Sequence, residues 1–156
     1  MSQPAPPARV AVIIVNYNAG PDLARCIQAL QRQTRPPDRC LLVDNASREA
    51  PLTGGESWLS GVELLRQDRN LGFAAANNLA IRQCSGIEWI ALLNPDAWPA
   101  PDWLERLMEA AATHPAYASF ACRQLDAEHP DRLKKTKNNL TTKNHPFQQN
   151  HNQPTA

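Results

Sequence analysis

The chain has 156 residues, 42% of them hydrophobic, enough for one domain with its own core. The formal charge of +1 argues for no particular partner, and no nucleic acid is expected to bind; yet residues 1–133 sum to −3 with Arg but no Lys, and residues 134–156 to +4 with four Lys and no acid. The N-terminal apolar run, Val10 to Val15, is too short for a membrane span or a signal-peptide core, so a soluble, cytoplasmic protein with a disordered leader over residues 1–8 is expected.

Val10-Ala11-Val12-Ile13-Ile14-Val15 is continuous and mostly β-branched, the composition of a parallel strand buried on both faces. Asn16-Tyr17-Asn18-Ala19-Gly20 ends it as a polar turn. Pro21 then opens a helix at the position where its missing N–H costs nothing, and Leu23, Ile27 and Leu30 supply the apolar face. Pro36-Pro37-Asp38 stops that helix. Cys40-Leu41-Leu42-Val43 reads as a second buried strand, closed by Asp44-Asn45-Ala46-Ser47, so the opening third has the form of a βαβ unit.

Residues 48–61 read as loop or a short irregular helix, and Val62 to Leu65 as a third strand. Phe73 to Cys84 is predicted helical, with Phe73, Ala76, Ala80 and Ile81 on one face and Gly86 beyond its end. Glu88 to Leu93 is the next strand. Pro101-Asp102 opens a helix whose Trp103, Leu104, Leu107, Met108 and Ala111 point inward, and His114-Pro115 closes it. Tyr117 to Cys122 is predicted to be a further strand.

Lys134 to Ala156 is Lys, Asn, Thr, Gln, Pro and His, and buries too little to order itself. Its change of composition suggests a frameshifted or foreign tail on a truncated domain. A natural basic tail binding an acidic partner is the competing reading. The four cysteines, Cys26, Cys40, Cys84 and Cys122, have neither C-x-x-C nor zinc-finger spacing and are expected as reduced thiols, a disulfide pair being the alternative.

Three strand exits carry polar groups: Asn16 to Asn18, Asp44 to Ser47, and Asn94 to Asp96. In one parallel sheet these exits share an edge, where ligands bind in open α/β folds. Pro95 forbids further pairing and leaves Asn94 and Asp96 at a strand end, able to meet a hard divalent cation that holds substrate phosphates; the same triplet also spells a plain turn. Arg69-Asn70-Leu71-Gly72-Phe73 brings a basic residue and a turn to a helix start, an arrangement that holds an anion. Together they describe a nucleotide-diphosphate pocket. Neither G-x-G-x-x-G nor a Walker A sequence is present, which argues against NAD and against a P-loop ATPase.

Four stretches in order, Val12-Ile13-Ile14-Val15-Asn16-Tyr17-Asn18, Leu42-Val43-Asp44-Asn45-Ala46-Ser47, Asn70-Leu71-Gly72-Phe73-Ala74-Ala75-Ala76-Asn77 and Leu93-Asn94-Pro95-Asp96, resemble the motifs of family 2 glycosyltransferases, the rhamnosyltransferase-like subgroup above all. The likeness covers roughly residues 9–130. It implies a GT-A fold: α/β, Rossmann-like, a mostly parallel sheet flanked by helices, cut short on its C-terminal side, with residues 9–133 forming the nucleotide-sugar-binding portion. It further implies that Val15, Asn16 and Tyr17 flank the base and ribose and that Asp44 accepts N3–H of uracil or thymine. Arg66 or Arg69 would lie near the base or diphosphate, and Asn70 and Gly72 would shape that turn. Asn94 opens the position of the D-x-D motif, and Asp96 would bind Mg²⁺ or Mn²⁺. The activity implied is inverting transfer from a dTDP- or UDP-linked sugar to a glycan or lipid-linked acceptor in cell-wall or polysaccharide assembly, with peripheral attachment to the inner membrane face. The general base is expected in a C-terminal half that this sequence lacks, so a donor site without an acceptor site is expected. A catalytically inactive nucleotide-sugar-binding module, or a non-functional fragment, is the alternative.

Overall fold

The computed structural model describes residues 7–126 except Ala50, so the leader up to residue 6 and the basic tail lie outside the described residues. Two compact units divide the chain, Met1–Pro115 and Ala116–Ala156. In the first, four strands, β1 (Val10–Asn16), β2 (Arg39–Asp44), β3 (Glu63–Arg66) and β4 (Trp89–Leu93), form one sheet in the order β3-β2-β1-β4. All three pairings are parallel. The helices are α1 (Pro21–Gln31), α2 (Phe73–Ile81) and α3 (Trp103–Thr113), with a single 3₁₀ turn at Ser57–Leu59 in the expected irregular stretch.

Burial of β1 on both faces follows from the period of two along a strand. Val10, Val12 and Ile14 pack with Leu23, Cys26, Ile27 and Leu30 of α1 and with Leu104 and Met108 of α3. Ala11, Ile13 and Val15 face the other way, onto Ala76 and Ala80 of α2 and onto Cys84. Helices therefore cover both sides of the sheet, and the uninterrupted apolar run is the consequence. Gln33, just beyond α1, is buried and ties the two helices of one layer together: its Nε2 donates to the Ala100 carbonyl at 2.6 Å and its Oε1 accepts from Leu104 N at 2.9 Å.

Three expectations are corrected. Phe73 and Ile81 do not belong to the buried face of α2, being 57% and 40% exposed; the buried face is Ala76, Asn77 and Ala80. Small side chains let the helix lie close to the sheet, and the bulky apolar residues are left to its flanks. Helix α2 also stops at Ile81 rather than Cys84, because Gln83 N and Cys84 N bond three residues back, to Ala80 O and Ile81 O, and tighten the last turn. In the second unit, Tyr117 to Cys122 is not a strand. Its β-type composition finds no ladder, and the Tyr117 and Phe120 rings instead meet edge to face at 6.4 Å.

No disulfide joins the four cysteines. Burial pushes the Cys26 and Cys40 thiols up to about 12, and Cys84 is raised for the same reason. Thiolate is the reactive form. A thiol reagent at pH 8 is therefore expected to modify only Cys122 rapidly in the native chain and all four cysteines after unfolding; rapid native modification of Cys26 or Cys40 would contradict this packing.

Candidate functional site

The strand order turns at β1, with β2 on one side and β4 on the other. Such a switch point leaves a crevice at the carboxyl ends of the strands. The exits of β1 and β2 are in register, Asn16 opposite Asp44, and β4 pairs Leu93 with Ile14, so Asn94 to Asp96 leave on the same edge.

Asn16 and Asp44 are both buried, at 3% and 6% exposure, and are joined to each other. Asn16 Nδ2 donates to Asp44 Oδ1 at 3.3 Å and to Ser47 Oγ at 3.0 Å, while Ala19 N donates to Asn16 Oδ1. Ser47 N also donates to Asp44 Oδ1, at 3.3 Å, closing an Asx-type turn. That turn carries Ala46 at φ 64°, a left-handed conformation costly for alanine, which persists because hydrogen bonds fix the residues on both sides. Both donors to the Asp44 carboxylate, Asn16 Nδ2 and Ser47 N, converge on Oδ1. Asp44 Oδ2 has no partner among the described residues and remains an open acceptor at the sheet edge.

A second clamp holds the turn before α2. Asn45, 2% exposed, donates from Nδ2 to Asn70 Oδ1 at 2.9 Å and accepts Leu71 N at 2.8 Å; Asn70 Oδ1 accepts Gly72 N as well. Gly72 has φ 79° and ψ 163°, a region open to glycine alone, and nothing lies within 4 Å of where a Cβ would stand, so backbone conformation and not space requires it. The result aims the uncapped N-terminus of α2 out of the turn. Replacing Asn45 with alanine leaves Leu71 N without its acceptor and is expected to cost about 1–3 kcal/mol, read as a lower denaturant midpoint at unchanged slope. An unchanged midpoint would show that the clamp is dispensable. The role of Asn45 escaped the sequence because its partners lie 25 and 26 residues ahead.

The remaining candidates sit more loosely. Val15 is buried in the core, and Tyr17 beside it is half exposed. Arg66 is exposed and donates from Nη2 to the Leu52 carbonyl at 2.9 Å, which holds it to the loop following β2. Arg69 is exposed and has no ion-pair partner among the described residues. Asn94 and Asp96 are exposed; Ala97 N bonds to Asn94 O at 3.1 Å, so the triplet does form a turn. The Asp96 carboxylate makes no hydrogen bond or ion pair within that turn. Beneath it, Cys26 Sγ lies 3.5 Å from the Asn94 carbonyl and secures the exit to α1.

Among the described residues no three His, Cys, Asp or Glu side chains gather into a cage for a metal. A lone accessible carboxylate suits the other mode, in which a hard cation keeps waters and shares a substrate's phosphates. Asp96 fits that mode and a closed site does not. No helix among the described residues is long and apolar enough to cross a membrane.

Known proteins resemble this chain in sequence and in fold. An L-rhamnosyltransferase of Mycobacterium tuberculosis, named for N-acetylglucosaminyl-diphospho-decaprenol, is 30% identical over 114 residues, 67% of this chain and 37% of the relative. Glycosyltransferase AglE of Haloferax volcanii is 34% identical over 102 residues, 62% and 33% of the two chains. The chain thus spans about a third of the length of the curated relatives it matches. Among solved structures, a mannosyltransferase from Pyrobaculum calidifontis in complex with GDP-Man and Mn²⁺ superposes with a TM-score of 0.58 at 27% identity, over 69% of this chain and 32% of that one. TarS 1–349 of S. aureus in complex with UDP gives 0.60 at 20% identity, over 69% and 33%, a likeness of fold. The sequence profile described as Glycosyl transferase family 2 matches residues 11–156, and the chain belongs to that family.

Proposed function

We propose that the crevice at the carboxyl ends of β1, β2 and β4 binds the nucleoside diphosphate of a sugar donor, dTDP- or UDP-linked, for inverting transfer to a glycan or lipid-linked acceptor. One observation carries the reading: Asp44 spends Oδ1 on two internal donors, Asn16 Nδ2 and Ser47 N, and keeps Oδ2 open. A carboxylate oxygen fixed at that edge accepts the imide N3–H of uracil or thymine. Val15, Asn16 and Tyr17 border the base and ribose. The turn held by Asn45, with Asn70 and Gly72, presents α2 amides to the diphosphate, and Arg69, exposed and without an ion-pair partner, adds a cation. Arg66 reaches the same ligand on release from the Leu52 carbonyl.

Asp96, with Asn94 beside it, would hold Mg²⁺ or Mn²⁺ against the diphosphate. When bound, the ion supplies positive charge that neutralises the leaving nucleoside diphosphate. The general base for the acceptor hydroxyl is expected from the part of the relatives that this chain does not span. Residues 9–133 are the donor-binding portion in this reading, and work at the cytoplasmic face of a membrane follows from a lipid-linked acceptor.

Calorimetric titration of the purified chain with UDP and dTDP, with and without Mn²⁺, tests the proposal. Binding that Mn²⁺ strengthens is the expected result. A folded chain that binds neither nucleotide would overturn it.

A further inference from the structure

On the outer side of α1 the spacing of three and four residues places Arg25, Gln28 and Arg32 along one face. With Ala29 and Trp98 they line an open cleft of about 340 Å³. Trp98, two residues beyond Asp96, is 44% exposed, and the Arg25 guanidinium lies 5.6 Å from the centroid of its ring. Among the described residues the one ion pair made by either arginine is with Asp22, whose Oδ1 is 3.8 Å from Arg25 Nη1, with both side chains well exposed; such a contact contributes little. Arg32 and Gln28 have no side-chain partner among the described residues. The cleft thus concentrates guanidinium donors around an indole and contains no acid in its lining.

We propose that this cleft is a second anion site, specific for a phosphate or diphosphate ester. Planar guanidinium forks match phosphate oxygens, and the indole face covers the apolar or sugar portion to which the phosphate is attached. The site needs no metal ion, because its charge comes from arginine alone. It neighbours the donor crevice through the Asn94 carbonyl, against which Cys26 of the same helix is seated. The phosphate comes either from a lipid headgroup at a membrane surface or from a soluble ester.

Tryptophan fluorescence of the full chain, in the absence of divalent ions, distinguishes the two sources. Inorganic pyrophosphate is the soluble probe, and vesicles of phosphatidylglycerol in phosphatidylcholine, against phosphatidylcholine alone, are the surface probe. A response to at least one probe is expected. Its midpoint should move at least about tenfold in the Arg25→Gln/Arg32→Gln double variant, the loss expected for hydrogen bonds to charged groups, and the signal should vanish in Trp98→Phe. A response to vesicles alone assigns a headgroup; a response to pyrophosphate shows that a soluble ester suffices. No response to either probe, or a midpoint unchanged in the double variant, would overturn the proposal. Both arginines are exposed, so the variant keeps its fold, checked by circular dichroism. Asp96→Ala is expected to keep the response, which separates this cleft from the donor crevice.

Discussion

Asp96→Ala is expected to lower the affinity for UDP or dTDP in Mn²⁺ by about 10²-fold or more, the scale on which metal sites lose affinity when their support is removed. The residual, metal-independent binding should match that of the unaltered chain in chelator. Stability should stay within about 0.5 kcal/mol, because the carboxylate is exposed and bonds to nothing in its own turn. That pairing of outcomes matters, since the Asn94–Ala97 turn is held by backbone through Ala97 N and Asn94 O. A side chain kept for the turn would show its loss in the melting temperature. A side chain kept for a metal would show it only in the titration with Mn²⁺. Equal affinity of the two proteins in Mn²⁺, measured by calorimetry, would leave Asp96 as a turn residue.

What the sequence revealed and what it concealed divide along the range of the interactions. The buried strands were legible because a parallel strand covered on both faces must be apolar at every position, and β1 and the central residues of β2 are. The polar exits were legible for the same reason in reverse, since Asn16 and Asp44 break runs that are otherwise uniform. The face of α2 was not, because Ala-rich helices give a weak apolar contrast and close packing prefers Ala76 and Ala80 to Phe73. The segment after α3 misled because β-type composition makes a strand only where a ladder is available, and residues 117–122 have none. Asn45 and Gln33 escaped because each acts on chain far away, at Asn70 and Leu71 or at Ala100 and Leu104, and no local pattern announces such a reach.

The sharpest separation of scaffold from recognition is at Asp44, where two substitutions should part company. Asp44→Ala removes the acceptor of Asn16 Nδ2 and of Ser47 N together, in a buried site, and is expected to cost about 2 kcal/mol of stability along with nucleotide binding. Asp44→Asn keeps one oxygen. With that oxygen turned to Asn16 and Ser47 the turn survives, and the amide nitrogen takes the place of Oδ2. A donor then faces the N3–H of uracil where an acceptor is needed, and the affinity for UDP should fall by about 10–10²-fold with the melting temperature little changed. Cytosine presents an acceptor at N3, so the same variant should gain affinity for CDP and narrow or reverse the preference between the two nucleotides. Competitive titration of UDP against CDP in both proteins measures this directly. If Asp44→Asn leaves the UDP-to-CDP ratio as it was, Asp44 only terminates β2 and the base is read elsewhere; if the ratio inverts, the open oxygen of Asp44 is the group that selects the base.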